Sequence, residues 1–138
     1  MRALTIKRSV SWAISWLFIC LPSALAADGT EGLPHAFEAG WKGQQTCTLL
    51  YETEEVRVGS CSFPPGIGHE KHYHNAHFGY VIEGGTMWIK DQSGESEGTI
   101  ETGMTWATDE LRIHEAVNIG DTTARYLIVE PRVDPVEP

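Results

Sequence analysis

Four of the chain's six histidines fall within nine residues: His69, His72, His74 and His77, in a stretch running from Gly66 to Gly85. Neutral imidazole suits zinc, copper, iron and nickel, whereas magnesium and calcium prefer oxygen. His72 and His74 are two apart, so on an extended strand both rings project to one face. Asn75-Ala76 supplies a bend that resets the alternation and returns His77 to that face. A fourth imidazole, His114, lies in the later segment Leu111 to Asn118, which a closed barrel brings opposite the first three. His72, His74, His77 and His114 are therefore the candidate ligands of a divalent transition metal: iron, zinc, nickel or copper, with manganese ranked below them. His69 precedes the cluster and reads as a rim residue, with Glu70 and Lys71 as its solvated neighbours. Catalytic residues stay unassigned. Tyr73, Tyr80, Glu83, Asp109, Glu110 and Glu115 are available as acids or bases, but each has a plain surface or packing role, and alternation turns Tyr80 away from His77.

These histidines need strands to hold them, and from Thr46 onward the chain reads as short β-type runs separated by turn residues. Thr46 to Tyr51 and Glu55 to Phe63 are the first two, with Val56, Val58 and Phe63 as core candidates. Pro64-Pro65-Gly66 stops the second, since proline cannot donate to a ladder and glycine turns sharply. Tyr80-Val81-Ile82 and Thr86 to Lys90 read as hairpin partners across Gly84-Gly85, followed by a polar loop from Asp91 to Gly98. Thr99 to Thr102, Met104 to Ala107, Leu111 to Val117 and Ala124 to Val129 complete about eight strands. No mature segment has sustained helical spacing. An all-β sandwich or closed barrel with a ligand cavity in its mouth follows.

The N-terminus is an address. Arg2, Lys7 and Arg8 precede an apolar centre from Trp12 to Leu21, and Ala24-Leu25-Ala26 offers the small-x-small pattern of a cleavage site. The apolar centre falls short of the roughly twenty residues that a membrane span needs. Residues 1–26 thus read as a signal peptide, 27–45 as an N-terminal arm, 46–131 as the barrel and 132–138 as a tail, and the destination is periplasmic or secreted. Cleavage removes three basic and no acidic residues, taking the formal charge from −9 to −12 over the remaining 112 residues. So acidic a surface disfavours nucleic acid and, for the mature form, membrane as partners. Cys47 and Cys61 survive into an oxidising compartment, where a cross-strand disulfide and two separate buried thiols are both open to them. In the arm, His35 reads as an ordinary surface histidine and Trp41 as an anchor against the barrel or a partner subunit.

The histidine stretch resembles the first motif of the cupin superfamily, with Gly66, His72, His74 and Gly84 or Gly85 in place, and Gly103, His114 and Asn118 match the spacing of the second. Together they cover roughly Leu49 to Glu130. The first motif's glutamate has no counterpart; His77 takes its place, as in small cupins that read H-x-H-x-x-H. Asp109 and Leu111 replace the second motif's proline and glycine. The resemblance implies a single-domain jelly-roll β-barrel, a metal on His72, His74, His77 and His114, a small-molecule ligand or substrate, and a homodimer. It does not fix a reaction. A metal-dependent enzyme of dioxygenase, isomerase or lyase type ranks slightly above a non-catalytic metal- or ligand-binding barrel. An assembly role through Trp88, Trp106 and Tyr126 is the third reading.

Overall fold

The computed structural model describes residues 29–132, so the expected signal peptide and all of the tail except Arg132 lie outside the described residues. Eleven strands follow in order: β1 (Gly40–Trp41), β2 (Gln44–Gln45), β3 (Cys47–Glu52), β4 (Val56–Phe63), β5 (Gly68–His74), β6 (His77–Glu83), β7 (Gly85–Asp91), β8 (Gly94–Ile100), β9 (Thr105–Thr108), β10 (Arg112–Asn118) and β11 (Ala124–Pro131). A five-stranded sheet in the order β3-β4-β11-β6-β9 faces a four-stranded sheet in the order β5-β10-β7-β8, and every pairing is antiparallel. Phe63, Val81, Met87, Ala116, Tyr126 and Ile128 are buried between them. This is the expected all-β jelly roll.

Two expectations about connectivity are corrected. β6 and β7 are not a hairpin: the chain crosses between sheets at Gly84, where an added Cβ would lie 2.6 Å from the Ile100 carbonyl oxygen. The polar run from Asp91 to Gly98 is not a loop either. It turns at Gln92-Ser93 and returns as β8, paired in register from Asp91↔Gly94 to Gly85↔Ile100. β8 is an exposed edge strand, so it carries charge and small residues where a buried strand would carry apolar ones. Among the core candidates on β4, Phe63 is buried, while Val56 and Val58 fall on the opposite, half-buried face with the other even-numbered residues.

The arm is not merely extended. Lys42 and Gly43, both at positive φ, make the tight turn of the β1–β2 hairpin, and Trp41 lies against Gly68, whose Cβ would come within 2.8 Å of the indole. Upstream, Phe37 packs on Gly59 and His35 bridges to Tyr73, so the arm inserts side chains between the two sheets. Asn118 ties the sheets together from within: its amide donates to the carbonyls of Phe63 (2.6 Å) and Thr122 (2.7 Å), and its oxygen accepts from Gly120 N–H.

Cys47 and Cys61 are directly opposed across β3 and β4 and joined by a disulfide. A bridge closing a loop of this size stabilises by about 3 kcal/mol, largely by restricting the unfolded chain. Replacing both cysteines with alanine should therefore lower the unfolding free energy in urea by that amount, with a steeper transition because the unfolded chain is no longer cross-linked.

Candidate metal centre

His72 and His74 point into the barrel from β5, His114 from β10 and His77 from β6. His77 does turn inward after Asn75-Ala76: it is buried, and its Nδ1–H donates to the Asn75 carbonyl at 2.8 Å. His114 pairs directly with His72 across the β10–β5 ladder, with ring centroids 4.6 Å apart.

The hydrogen bonds determine which nitrogens are free. His72 Nδ1–H donates to the Glu70 carbonyl at 2.6 Å, and His74 Nδ1–H donates to Glu130 Oε1 at 3.1 Å. Neither partner can donate, so both rings present a lone pair at Nε2, and these two atoms are 3.0 Å apart. Two lone pairs at that separation repel. A cation bound by both converts the repulsion into coordination, and nitrogens about 2.1 Å from one ion at right angles lie about 3.0 Å from each other. Potential ligand atoms of His72, His74 and His114 all lie within 4.8 Å of one another, and His74, His77 and Glu130 form a second such group. His74 belongs to both. The donors of His72, His74 and His114 thus fit a transition metal, while His77 is grouped with His74 and Glu130 and not with His72 or His114.

Burial keeps the imidazoles of His72, His74 and His114 neutral. It lowers His114 to about 3, assisted by His74 and His69, and it drives His72 and His74 far below the ordinary histidine value.

His69 is not a rim residue. It is fully buried and lies tilted against His72 with ring centroids 3.8 Å apart, its pKa lowered to about 4 by burial and by His74. The cause is a β-bulge. Between His72 and His69 the chain spends one residue more than its partner does between His114 and Ala116, so Glu70 and Lys71 both face solvent and His69 shares a face with His72. Two consecutive charged residues inside the strand were the signal.

No motif in the local sequence marks His35 or Glu130 as part of the site. Far from being a surface residue, His35 is 3% exposed; its Nε2–H donates to Glu130 Oε2 at 2.7 Å, while its Nδ1 accepts from Phe37 N–H. Burial raises the Glu130 carboxyl, but hydrogen bonds from His35 and His74 outweigh it and bring the pKa down to about 2. Glu130 continues the inward alternation of Ala124, Tyr126 and Ile128, and a carboxylate at an inward position is its signature.

Beside the histidines lies a cavity of about 210 Å³ lined by His74, His77 and His114 and, for the rest, by apolar and aromatic side chains that include Met87, Trp106 and Tyr126. Trp106 and Tyr126 thus face inward, which removes them as assembly contacts. Trp106 Nε1–H donates to His77 Nε2 at 3.2 Å, and its ring lies over Gly79, where any Cβ would collide with it at 2.2 Å. Burial pushes the Tyr126 phenol upward and leaves it neutral. Tyr73, Tyr80, Glu83, Asp109, Glu110 and Glu115 do not line this cavity, and Tyr80 is on the outer face as alternation required.

No protein-family model matches the chain, and no curated protein matches it. Solved structures do. A cupin domain from Bordetella pertussis is 22% identical with a TM-score of 0.59, covering 63% of this chain and 92% of its own. The polyketide cyclase RemF from Streptomyces resistomycificus is 19% identical with a TM-score of 0.55, covering 77% and 78%. An RmlC-like cupin with a double-stranded β-helix fold from Methanocaldococcus jannaschii is 18% identical with a TM-score of 0.53, covering 67% and 87%. At such identities the likeness is one of fold.

Proposed function

We propose, from the premise that this chain is a small single-domain cupin in fold, that it is a metal-dependent enzyme acting on a small, largely apolar organic molecule outside the cytoplasm. His72, His74 and His114 hold the ion, and His77 is its fourth ligand. The observation that carries the reading is the facing pair of Nε2 atoms on His72 and His74, 3.0 Å apart, beside an apolar cavity onto which His74 and His114 open. Iron, zinc, nickel or copper suits such donors; when bound, it supplies a Lewis acid for a substrate oxygen and, for iron or copper, one-electron chemistry. The chain itself provides a pocket walled by aliphatic side chains with Trp106 and Tyr126, which would orient the apolar part of the substrate.

Oxygenation is favoured over isomerase or lyase chemistry. The latter needs a base that is not coordinated, and apart from histidines the one titratable group lining the cavity is Tyr126, held neutral. The cavity's small volume, below the roughly 300–1,000 Å³ usual for drug-sized ligands, favours a compact substrate and supports the competing reading of a barrel that binds without turnover. Metal analysis of the mature chain purified without a histidine tag, followed by oxygen uptake on the Fe(II)-loaded protein with small diols, enols and thiols, tests both. About one equivalent of metal with substrate-dependent uptake supports the oxygenase. Metal without any uptake across the panel favours the binder or a non-oxygenase. Less than about 0.1 equivalent after reconstitution overturns the metal centre.

His77 is distinguished by its bond to Trp106, which occupies the Nε2 that a metal would need. Trp106→Phe should free that lone pair and tighten Zn(II) binding severalfold by competition titration; unchanged affinity in this variant, with Gly79 still covered by the ring, would remove His77 from the ligand set.

A periplasmic or secreted location agrees with the buried Cys47–Cys61 bridge, since such bonds persist in oxidising compartments. The homodimer has a matching face. Tyr51, Val58, Val129, Phe78 and Ala107 align across all five strands of one sheet, on its outer side, with Phe78 and Tyr51 largely exposed. A second copy apposed face to face by a two-fold axis would cover this row. Sedimentation velocity should then report a dimer that Phe78→Lys converts to a monomer.

A further inference from the structure

The buried trio His35, Glu130 and His74 joins the N-terminal arm to the barrel's histidine cluster, and it does so through one carboxylate. Glu130 is 1% exposed and its two oxygens face in different directions: Oε2 accepts from His35 at 2.7 Å and Oε1 from His74 at 3.1 Å. A carboxylate can only accept, so each imidazole must bring a proton to it. For His74 that fixes the proton on Nδ1 and leaves Nε2, the atom 3.0 Å from His72 Nε2, as a lone pair. The same logic runs outward to the arm. His35 Nδ1 accepts from Phe37 N–H, so its own proton must sit on Nε2, facing Glu130. The main chain holds the arm segment in place: Ala36 N–H donates to the Tyr73 carbonyl at 2.9 Å, and Tyr73 N–H donates to Pro34 at 3.1 Å. Tyr73 is the neighbour of both His72 and His74 on β5.

We propose that His35 and Glu130 are positioning residues for the metal centre, so that the N-terminal arm is a working part of the site and sets the tautomer and direction of the ligand His74. The proposal rests on the metal-centre reading given above. A chain of donors and acceptors with only one consistent proton arrangement runs from the arm's backbone to the Nε2 of His74. Partners of this kind behind a ligating histidine typically govern metal affinity by 10–100-fold.

Glu130→Gln tests this, because it keeps shape but gives one amide oxygen and one amide NH2. One of the two histidines must then meet a donor. If that is His74, its proton is driven to Nε2, where it blocks coordination. If it is His35, two donors compete for a ring already fixed by Phe37 N–H. Two readouts are taken: the His74 tautomer of the metal-free protein by long-range ¹H–¹⁵N NMR, and Zn(II) affinity by competition titration. The wild type should show Nδ1–H at His74. Glu130→Gln should show a mixed or Nε2–H ring with binding weakened 10–100-fold, while keeping its far-UV circular dichroism. His35→Ala tests the arm independently should Glu130→Gln fold poorly. It should weaken Zn(II) severalfold and shift the His74 ring nitrogens, and His35→Gln, which retains a donor for Oε2, should restore most of the affinity. An unchanged His74 tautomer and unchanged affinity in Glu130→Gln and His35→Ala, in a wild type that does bind Zn(II), would overturn the positioning role alone. A wild type that binds neither Zn(II) nor Co(II) would overturn the metal centre, and this proposal with it.

Discussion

His74→Ala should weaken metal binding on the order of 100-fold, so that after equilibration with a competing chelator it keeps little metal under conditions where the wild type carries about one equivalent. His74 is the residue common to both groups of ligand-spaced side chains and supplies one of the two Nε2 atoms that face each other at 3.0 Å. Zinc held by four protein ligands is bound with roughly 12 kcal/mol, so each ligand accounts for about 3 kcal/mol, or on the order of 100-fold in affinity. His72→Ala should lose a similar amount, since it removes the other half of the facing pair. His77→Ala should lose less, because its Nε2 must first leave Trp106. A thermal readout gives the same ordering without a metal assay: excess Zn(II) at a hundred times its dissociation constant stabilises the wild type by about 2.7 kcal/mol, and at the same Zn(II) concentration a roughly 100-fold weaker His74→Ala should gain only about 0.4 kcal/mol. If His74→Ala retained full metal content and the full thermal increment, the ion would lie elsewhere.

The legible part of the site is the part that obeys regular alternation. His72 and His74, two apart on a strand, project to one face as their spacing requires, and His114 enters opposite His72 because β10 pairs with β5. The match of Gly103, His114 and Asn118 to a known motif located that strand before any pairing was visible. Irregularities hid the rest. His69 reaches the interior only through the bulge at Glu70-Lys71, and an alternating reading places it outside. His35 lies in a segment with no period at all, so its burial depends wholly on tertiary contacts with Tyr73 and Glu130. Glu130 was within reach, two residues beyond Ile128 on the same inward face, but a strand ended at Val129 does not include it. The connectivity around Gly84 follows the same rule: a Gly-Gly between two β runs is the local signature of a hairpin, and only the competing partners β11 for β6 and β10 for β7 show that it is a crossover. Local chemistry indicates where strands begin and end, while sheet membership is decided by contacts distant in sequence.

Acidification should destabilise the metal-free protein well above the pH at which carboxylates titrate. His69 is held at about 4 in the fold against 6.5 for the free group, and His114 at about 3; His72 and His74 are lowered in the same direction, in every case first by burial. A depressed histidine pKa means that the folded chain resists a proton that the unfolded chain accepts. Below pH 6.5 the unfolded state therefore binds more protons, and stability falls with falling pH until each folded value is passed; above 6.5 this contribution is fully present and flat. Each unit of pH in that window costs about 1.4 kcal/mol per group, so His69 alone loses about 2 kcal/mol between 6.5 and 5. His114, His72 and His74, lowered in the same direction, add to the loss in that window. Glu130 behaves differently: its carboxyl, lowered from 4.5 to about 2 despite burial, keeps its stabilising effect until the pH falls below about 4.5. Urea titrations in the presence of a chelator at pH 7.5, 6 and 5 should show a midpoint that falls steeply across this interval, and His69→Gln should flatten the fall by removing one titrating group. Saturating Zn(II) should hold the midpoint up at pH 6, since the metal occupies the lone pairs that protons would take. A midpoint indifferent to pH between 7.5 and 5 would mean that the cluster accepts protons in the folded state, and that its rings are not neutral lone-pair donors packed around His74.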